Sequence, residues 1–245
     1  MVCEASPLGR PNLIVFDLDG TLVDYRASSS AAYRAIFLKA EERFGPLPVD
    51  RLVGLLKAAD AENWTGYVTG RIPLEEMWRR RWGGPLKTIG LSVDTGFLNE
   101  LNEHFARVLP AASRLYPDAI PCLEGLKGRF RLALLSNSPG RTGRSRVDHL
   151  GLCSFFSYVG IGGEIGAMKP ALEAFQIVLE RAGGRPESTV MVGDNFNEDV
   201  LGGRSAGLKT VWLRRGDAYY RDGDPSKADG VVGDLKELDQ LFSGA

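Results

Sequence analysis

The chain has 245 residues, enough for one large domain or for a core carrying a smaller inserted unit. Its composition, 44% apolar and 25% charged, is that of an ordinary globular protein and excludes disordered and collagen-like chains. With 30 basic and 31 acidic residues the net charge is -1, so no global basic excess favours nucleic acid or an anionic membrane, and neither is expected as a partner.

Three cysteines, Cys3, Cys122 and Cys153, lie far apart, outside metal-ligand spacing, and cannot form a complete disulfide set. Free thiols in a reducing compartment are the simplest reading. The two histidines, His104 and His149, cannot build a His-rich metal site. The opening MVCEASPLGRPN lacks a long apolar segment, and no run of ~20 apolar residues follows. A cytoplasmic location is therefore expected.

Residues 1–11 read as a loose lead-in. LIVF (13–16) is a short apolar run with β-branched residues, as in a strand covered on both faces, and it stops at DLDGT. From 25 to 112 alanine, leucine and charged residues dominate. This stretch predicts a helical insert, with Ser28, Ser29 or Ser30 as a cap and Pro73 in a first helical turn. The remainder, 1–24 with 113–245, is assigned to the core.

Strands and helices then alternate. RLALLS (131–136) predicts a strand and RTGRSRVDHLGL a helix ending near Gly151. FSYVGIG (156–162) predicts a strand, and ALEAFQIVLERAG (171–183) a helix with Pro170 at its start and Gly183 at its end. TVMVGD (189–194), a helix from Glu198 to Ala206, TVWL (210–213) and a short GVV (230–232) complete the pattern. Such alternation means an α/β fold, a Rossmann-like parallel sheet with helices on both faces. Ligands of these sheets bind beyond the carboxyl ends of the strands. Asp17, Ser136 and Asp194 fall at three such ends, and Lys169 opens a helix after another.

These residues suit phosphoryl transfer. Hydrolysis of an anionic phosphate ester needs an oxygen nucleophile, positive charge on the phosphoryl oxygens and an acid for the leaving alcohol. Asp17 serves as nucleophile. Asp19, two residues on, protonates the leaving group and then deprotonates the water. Gly20 allows a close turn that faces amides toward a phosphate. Ser136 and Asn137 donate to phosphoryl oxygens, and Lys169 offsets the carboxylates. Asp17, the Asp19 carbonyl and Asp194 suit Mg2+. Three roles stay open for Asp199: a ligand through water, a holder of Lys169, or a helix cap. Thr21 is structural or bonds Asp19 through its hydroxyl, and Asn195 supports the same loop.

Asp17-Leu-Asp19-Gly20-Thr21-Leu-Val resembles the first motif of the haloacid dehalogenase superfamily. Ser136-Asn137 is similar to its second motif, Lys169-Pro170 to its third, and Gly193-Asp194-Asn195-Phe-Asn-Glu-Asp199 to its fourth. Each alone is weak; the ordered set is specific. The long gap between the first two motifs resembles the helical C1 cap of the phosphoglycolate-phosphatase-like branch, which includes N-acylneuraminate-9-phosphatase-like enzymes. The resemblance implies a Rossmann-like core, a mobile lid, Mg2+ and a phosphoaspartyl intermediate. Dehalogenases of the superfamily lack the second aspartate, so Asp19 favours phosphoryl transfer. Phosphonatase-like members use a cap lysine, and Lys39, Lys57 and Lys87 have no diagnostic context. In the insert, Arg71 beside Gly70 is the preferred substrate contact.

The expectation is a Mg2+-dependent phosphatase of a small phosphorylated metabolite, monomeric or homodimeric. Its rivals are a phosphosugar mutase, which would isomerise a hexose 1-phosphate, and a binding or regulatory protein on a retained scaffold.

Overall fold

The computed structural model describes residues 8–216 and 222–242. Cys3 and the first part of the lead-in lie outside them. The chain divides into two compact units: Met1–Tyr25 with Arg114–Ala245, and Arg26–Ser113.

In the first unit, β1 (Leu13–Phe16) is central to a six-stranded sheet together with β2 (Arg131–Ser136), β3 (Tyr158–Ile161), β4 (Thr189–Gly193), β5 (Lys209–Leu213) and β6 (Gly230–Val232). The order is β3-β2-β1-β4-β5-β6, and every pairing is parallel. Side chains alternate across a strand, so an apolar run with no polar break must meet apolar cover on both faces. Ile14 and Phe16 enter one cluster with Leu132, Leu134, Val190 and Val192, while Leu13 and Val15 enter the other with Ala133, Leu135 and Met191. Burying Phe16 fully is worth about 2–3 kcal/mol by itself. The unit's helices are α5 (Ala119–Lys127), α6 (Gly140–His149), the short α7 (Gly162–Ile165), α8 (Leu172–Ala182), the short α9 (Gly202–Ser205) and α10 (Leu235–Phe242). Helices α5, α6 and α10 supply the first cluster, and α8 the second.

Before the chain leaves this unit, Val23 pairs antiparallel with Leu115. Asp24 N donates to Arg114 O and Tyr116 N to Leu22 O, each at 2.9 Å. The segments on either side of Arg26–Ser113 are thus tied into one neck.

The second unit holds α1 (Tyr25–Phe44, whose first residue belongs to the first unit), α2 (Val49–Val68), α3 (Leu74–Thr88) and α4 (Thr95–Ala112). Its interior is aromatic. Tyr33 stacks on Phe105 at 4.8 Å and meets Trp82 edge-on at 5.5 Å. Asp60 accepts hydrogen bonds from Tyr33 Oη and from Arg81 Nε, and the Arg81 guanidinium lies 4.9 Å from the Phe105 ring centre.

Several boundaries differ from the sequence reading. Helix α1 starts at Tyr25, so Ser28, Ser29 and Ser30 lie inside it and cap nothing; Ser30 Oγ bonds back to Arg26 O. The neck hydrogen bonds set the chain's direction before the serines are reached. The strand expected over 156–162 is only Tyr158–Ile161, because Gly162 already opens α7. In place of one helix from Glu198, Phe196–Leu201 winds as a π-helix before α9, with Asn195 Oδ1 accepting from Asn197 N and Glu198 N at 3.1 Å each. Helices α5 and α10 have no counterpart in the sequence reading. No helix among the described residues is long and apolar enough to cross a membrane.

Candidate active site

Parallel strands deliver their carboxyl ends to one edge, and the first unit uses this edge to assemble its polar residues. Asp17 follows β1, Ser136 ends β2 and Asp194 follows β4. Lys169 Nζ donates to Asp17 Oδ1 at 2.7 Å and to Asp199 Oδ1 at 2.6 Å, and it is 1% exposed. Residues 152 positions apart therefore share one buried ion pair.

Two glycines are required by this crowding. Gly20 has φ +86, and a Cβ there would lie 2.2 Å from Asp194 Oδ2. A Cβ on Gly193 would lie 2.1 Å from Asp199 Oδ2. A side chain at either position would push a carboxylate out of the cluster. The Gly20 amide donates to Val23 O at 2.8 Å, so here it closes the turn.

The remaining expected residues hold their neighbours. Asn137 Oδ1 accepts from Lys169 N at 2.8 Å, while Nδ2 donates to Lys169 O and to Glu198 Oε2, both at 2.7 Å. Both ends of the Asn137 amide are thus engaged in fixing Lys169 and the π-helix. Ser136 Oγ lies 2.9 Å from Ser138 Oγ. Asp199 Oδ2 accepts from Asn195 N at 2.9 Å. With Oδ1 on Lys169, both Asp199 oxygens have partners. Thr21 Oγ1 is buried without a partner and does not bond Asp19. The Asp19 carboxylate is instead taken by Arg146 and Ser138. Arg71 belongs to the second unit, is exposed, and donates from Nε to Thr69 Oγ1 at 3.0 Å.

Sequence reasoning did not single out Ser138 or Glu198, and it read the run GRTGRSR (140–146), which holds Arg146, as a solvated loop and helix face that could add positive potential near the site. Gly143, Arg146 and Val147 are the buried positions of α6, so this arginine occupies a core-facing site while Arg141 and Arg144 do not, a choice that three similar arginines in one run do not reveal.

The electrostatics are unbalanced. Oxygen atoms of Asp17, Asp194 and Asp199 lie within 4.8 Å of one another, all buried, against the single ammonium of Lys169. Burial pushes the Asp17 carboxyl up to about 7; Lys169 opposes this, and the charges of Asp199 and Asp19 add to it. Burial, then Asp17 and Asp199, also raise Asp194 far above the usual carboxylate range. Lys169 is itself raised, because its carboxylate neighbours outweigh the burial that would discharge it. A cluster with this excess of carboxylates over cations fits a metal ion. Asp17 Oδ2 supplies a second observation: it is buried with no hydrogen-bond partner, an expensive state for a carboxylate oxygen.

Comparison with known proteins agrees with this geometry. The haloacid dehalogenase-like hydrolase family matches residues 11–207. The chain belongs to that family. It is a hydrolase whose fold is shared with several solved members. It is 33% identical over 248 residues to the phosphoserine phosphatase of Thermus thermophilus, covering 92% of this chain and 97% of that one. The magnesium-bound crystal structure of the HAD-hydrolase YfnB from Bacillus subtilis superposes with a TM-score of 0.81 at 26% identity, covering 95% and 99% of the two chains. The L-2-haloacid dehalogenase of Xanthobacter autotrophicus, 22% identical with a TM-score of 0.70 over 96% and 99%, shares the fold.

Proposed function

We propose that the protein is a Mg2+-dependent phosphatase of small phosphorylated metabolites, acting through a phosphoaspartyl intermediate on Asp17. The observation that carries this is the state of Asp17: one oxygen is fixed on Lys169, and the other is buried with no partner. A structural carboxylate would have both oxygens satisfied.

Asp17 and Asp194, with the backbone carbonyl of Asp19, would hold Mg2+, and Asp199 would hold Lys169. The ion, when bound, neutralises carboxylate and phosphoryl charge. The Asp17 carboxylate attacks phosphorus, forming the acyl phosphate as the P–O bond to the alcohol breaks. Asp19 gives its proton to the departing oxygen. It then takes a proton from the water that attacks the same phosphorus, releasing phosphate and restoring Asp17. Lys169 and the Ser136 hydroxyl stabilise the phosphoryl oxygens, and Asn137 keeps Lys169 in place. The Arg26–Ser113 unit serves as the cap that selects the leaving group, with Arg71 as a substrate contact. The relatives support phosphate-ester chemistry, and Asp19 favours it over dehalogenation. No observation favours the mutase or the non-catalytic reading.

The test is a screen of phosphorylated metabolites for Mg2+-dependent phosphate release, with Asp17→Asn in parallel. We expect that variant to lose at least ~10³-fold in turnover. Release that ignores Mg2+, or near-normal release by Asp17→Asn, sinks the reading. Isomerised hexose phosphate without free phosphate would identify a mutase.

A further inference from the structure

Arg146 projects from α6 into the interior of the first unit and is 1% exposed, as buried as the leucines of the sheet. A guanidinium is tolerated there only when its charge and its donors are matched. The match is Asp19. Nη1 donates to Asp19 Oδ2 at 2.8 Å and Nη2 donates to Oδ1, a planar fork on a planar carboxylate. Ser138 Oγ donates to Asp19 Oδ2 at 3.3 Å and lies 3.4 Å from Arg146 Nη1. The Tyr25 ring centre is 5.4 Å from the guanidinium carbon. Asp19 needs such help, because it precedes the left-handed Gly20 on a loop and 29% of its side chain is exposed.

We propose that Arg146, with Ser138, positions the Asp19 carboxyl for proton transfer, and that this clamp is what makes the enzyme effective on alkyl phosphates. The inference rests on the phosphatase reading. Arginine cannot exchange its own proton at working pH, and its fork matches a carboxylate in a way a lysine does not. When Asp19 carries its proton, one N–H···O contact is given up and the other keeps the group aimed. The proton then passes to the alcohol oxygen as its bond to phosphorus breaks and the bond from Asp17 forms. An alkoxide cannot leave without that proton. A nitrophenolate can, since it is stable as an anion, so its departure hardly depends on where Asp19 points.

The test measures kcat/KM, which reports steps through the first irreversible one, on 4-nitrophenyl phosphate and on the best alkyl phosphate of the screen. Arg146→Gln should lower the alkyl ester by ~10²-fold and the aryl ester by less than ~5-fold. Asp19→Asn should give the same selectivity, and adding Arg146→Gln to it should lower the alkyl ester no further. Equal losses on both esters, or fully additive losses in the double variant, overturn the proposal in favour of a purely structural arginine. Should Arg146→Gln fail to fold, Ser138→Ala is read on the same pair: a selective alkyl loss supports the clamp, and equal losses or none overturn it. Wild-type protein that releases phosphate from neither ester removes the phosphatase reading and this inference together, whereas an active wild type with unselective variants removes this inference alone.

Discussion

Both units bury charge, and they do so in opposite ways. In Arg26–Ser113 the carboxylate of Asp60 meets Tyr33 and Arg81, and aromatic rings close around them. The Asp60 carboxylate has both oxygens engaged and its charge met by the guanidinium, as in a network that only has to hold helices together. At the sheet edge of the other unit, Asp17, Asp194 and Asp199 face one ammonium, and an oxygen of Asp17 has no partner. Buried charge by itself therefore says little about function; a buried carboxylate with an unused oxygen, set among like charges, marks chemistry.

The contrast breaks if the same substitution acts alike in both places. The largest effect is expected from Asp194→Ala. Phosphate release should fall by ~10³-fold, while the metal-free protein unfolds at the same denaturant concentration or higher, because a crowded carboxylate has gone. Asp60→Ala should do the reverse. It removes the carboxylate that Tyr33 and Arg81 both bond and should cost about 3 kcal/mol in denaturant unfolding, with no recovery on adding Mg2+. A destabilised Asp194→Ala beside an unaffected Asp60→Ala would invert the comparison.

A smaller effect sharpens it through pH. Asp17 moves from the usual 3.8 in the open chain to about 7 in the fold, chiefly by burial. A carboxyl raised on folding favours the native state when protonated, so this contribution is full below about pH 3.8 and is lost as pH rises through about 7. Metal-free protein should therefore melt at a higher temperature at pH 5.5 than at pH 8. Added Mg2+ should raise the melting temperature more at pH 8, where the carboxylates are ionised. A metal-free melting temperature that is flat between these pH values, or an equal Mg2+ shift at both, removes the crowding argument.

The strands were legible wherever an apolar run ended at a polar residue, as at LIVF-Asp17 and RLALL-Ser136, because a strand covered on both faces leaves no other pattern. Helix α10 went unread, although Leu235, Leu238 and Phe242 recur at helical spacing and are buried, because the run is short and follows a turn-rich segment. The π-turn after Asn195 was not, since it depends on Glu198 reaching Asn137 from 61 positions away. The site showed the same division. Residues at strand ends could be placed by topology alone. The clamp on Asp19 could not, because which arginine of GRTGRSR faces inward is decided by how α6 packs.

The neck formed by Val23–Asp24 and Arg114–Leu115 has a consequence for how such a protein can change. Its backbone pairing lies wholly within the core unit, so the ends of the Arg26–Ser113 segment are already brought together whatever joins them. Loop-closure entropy grows only slowly with length, so segments of very different size can span those ends at similar cost. The helical unit is in this sense an exchangeable cassette. A core closed by a short turn across the neck, or one carrying a foreign insert, should keep its sheet register.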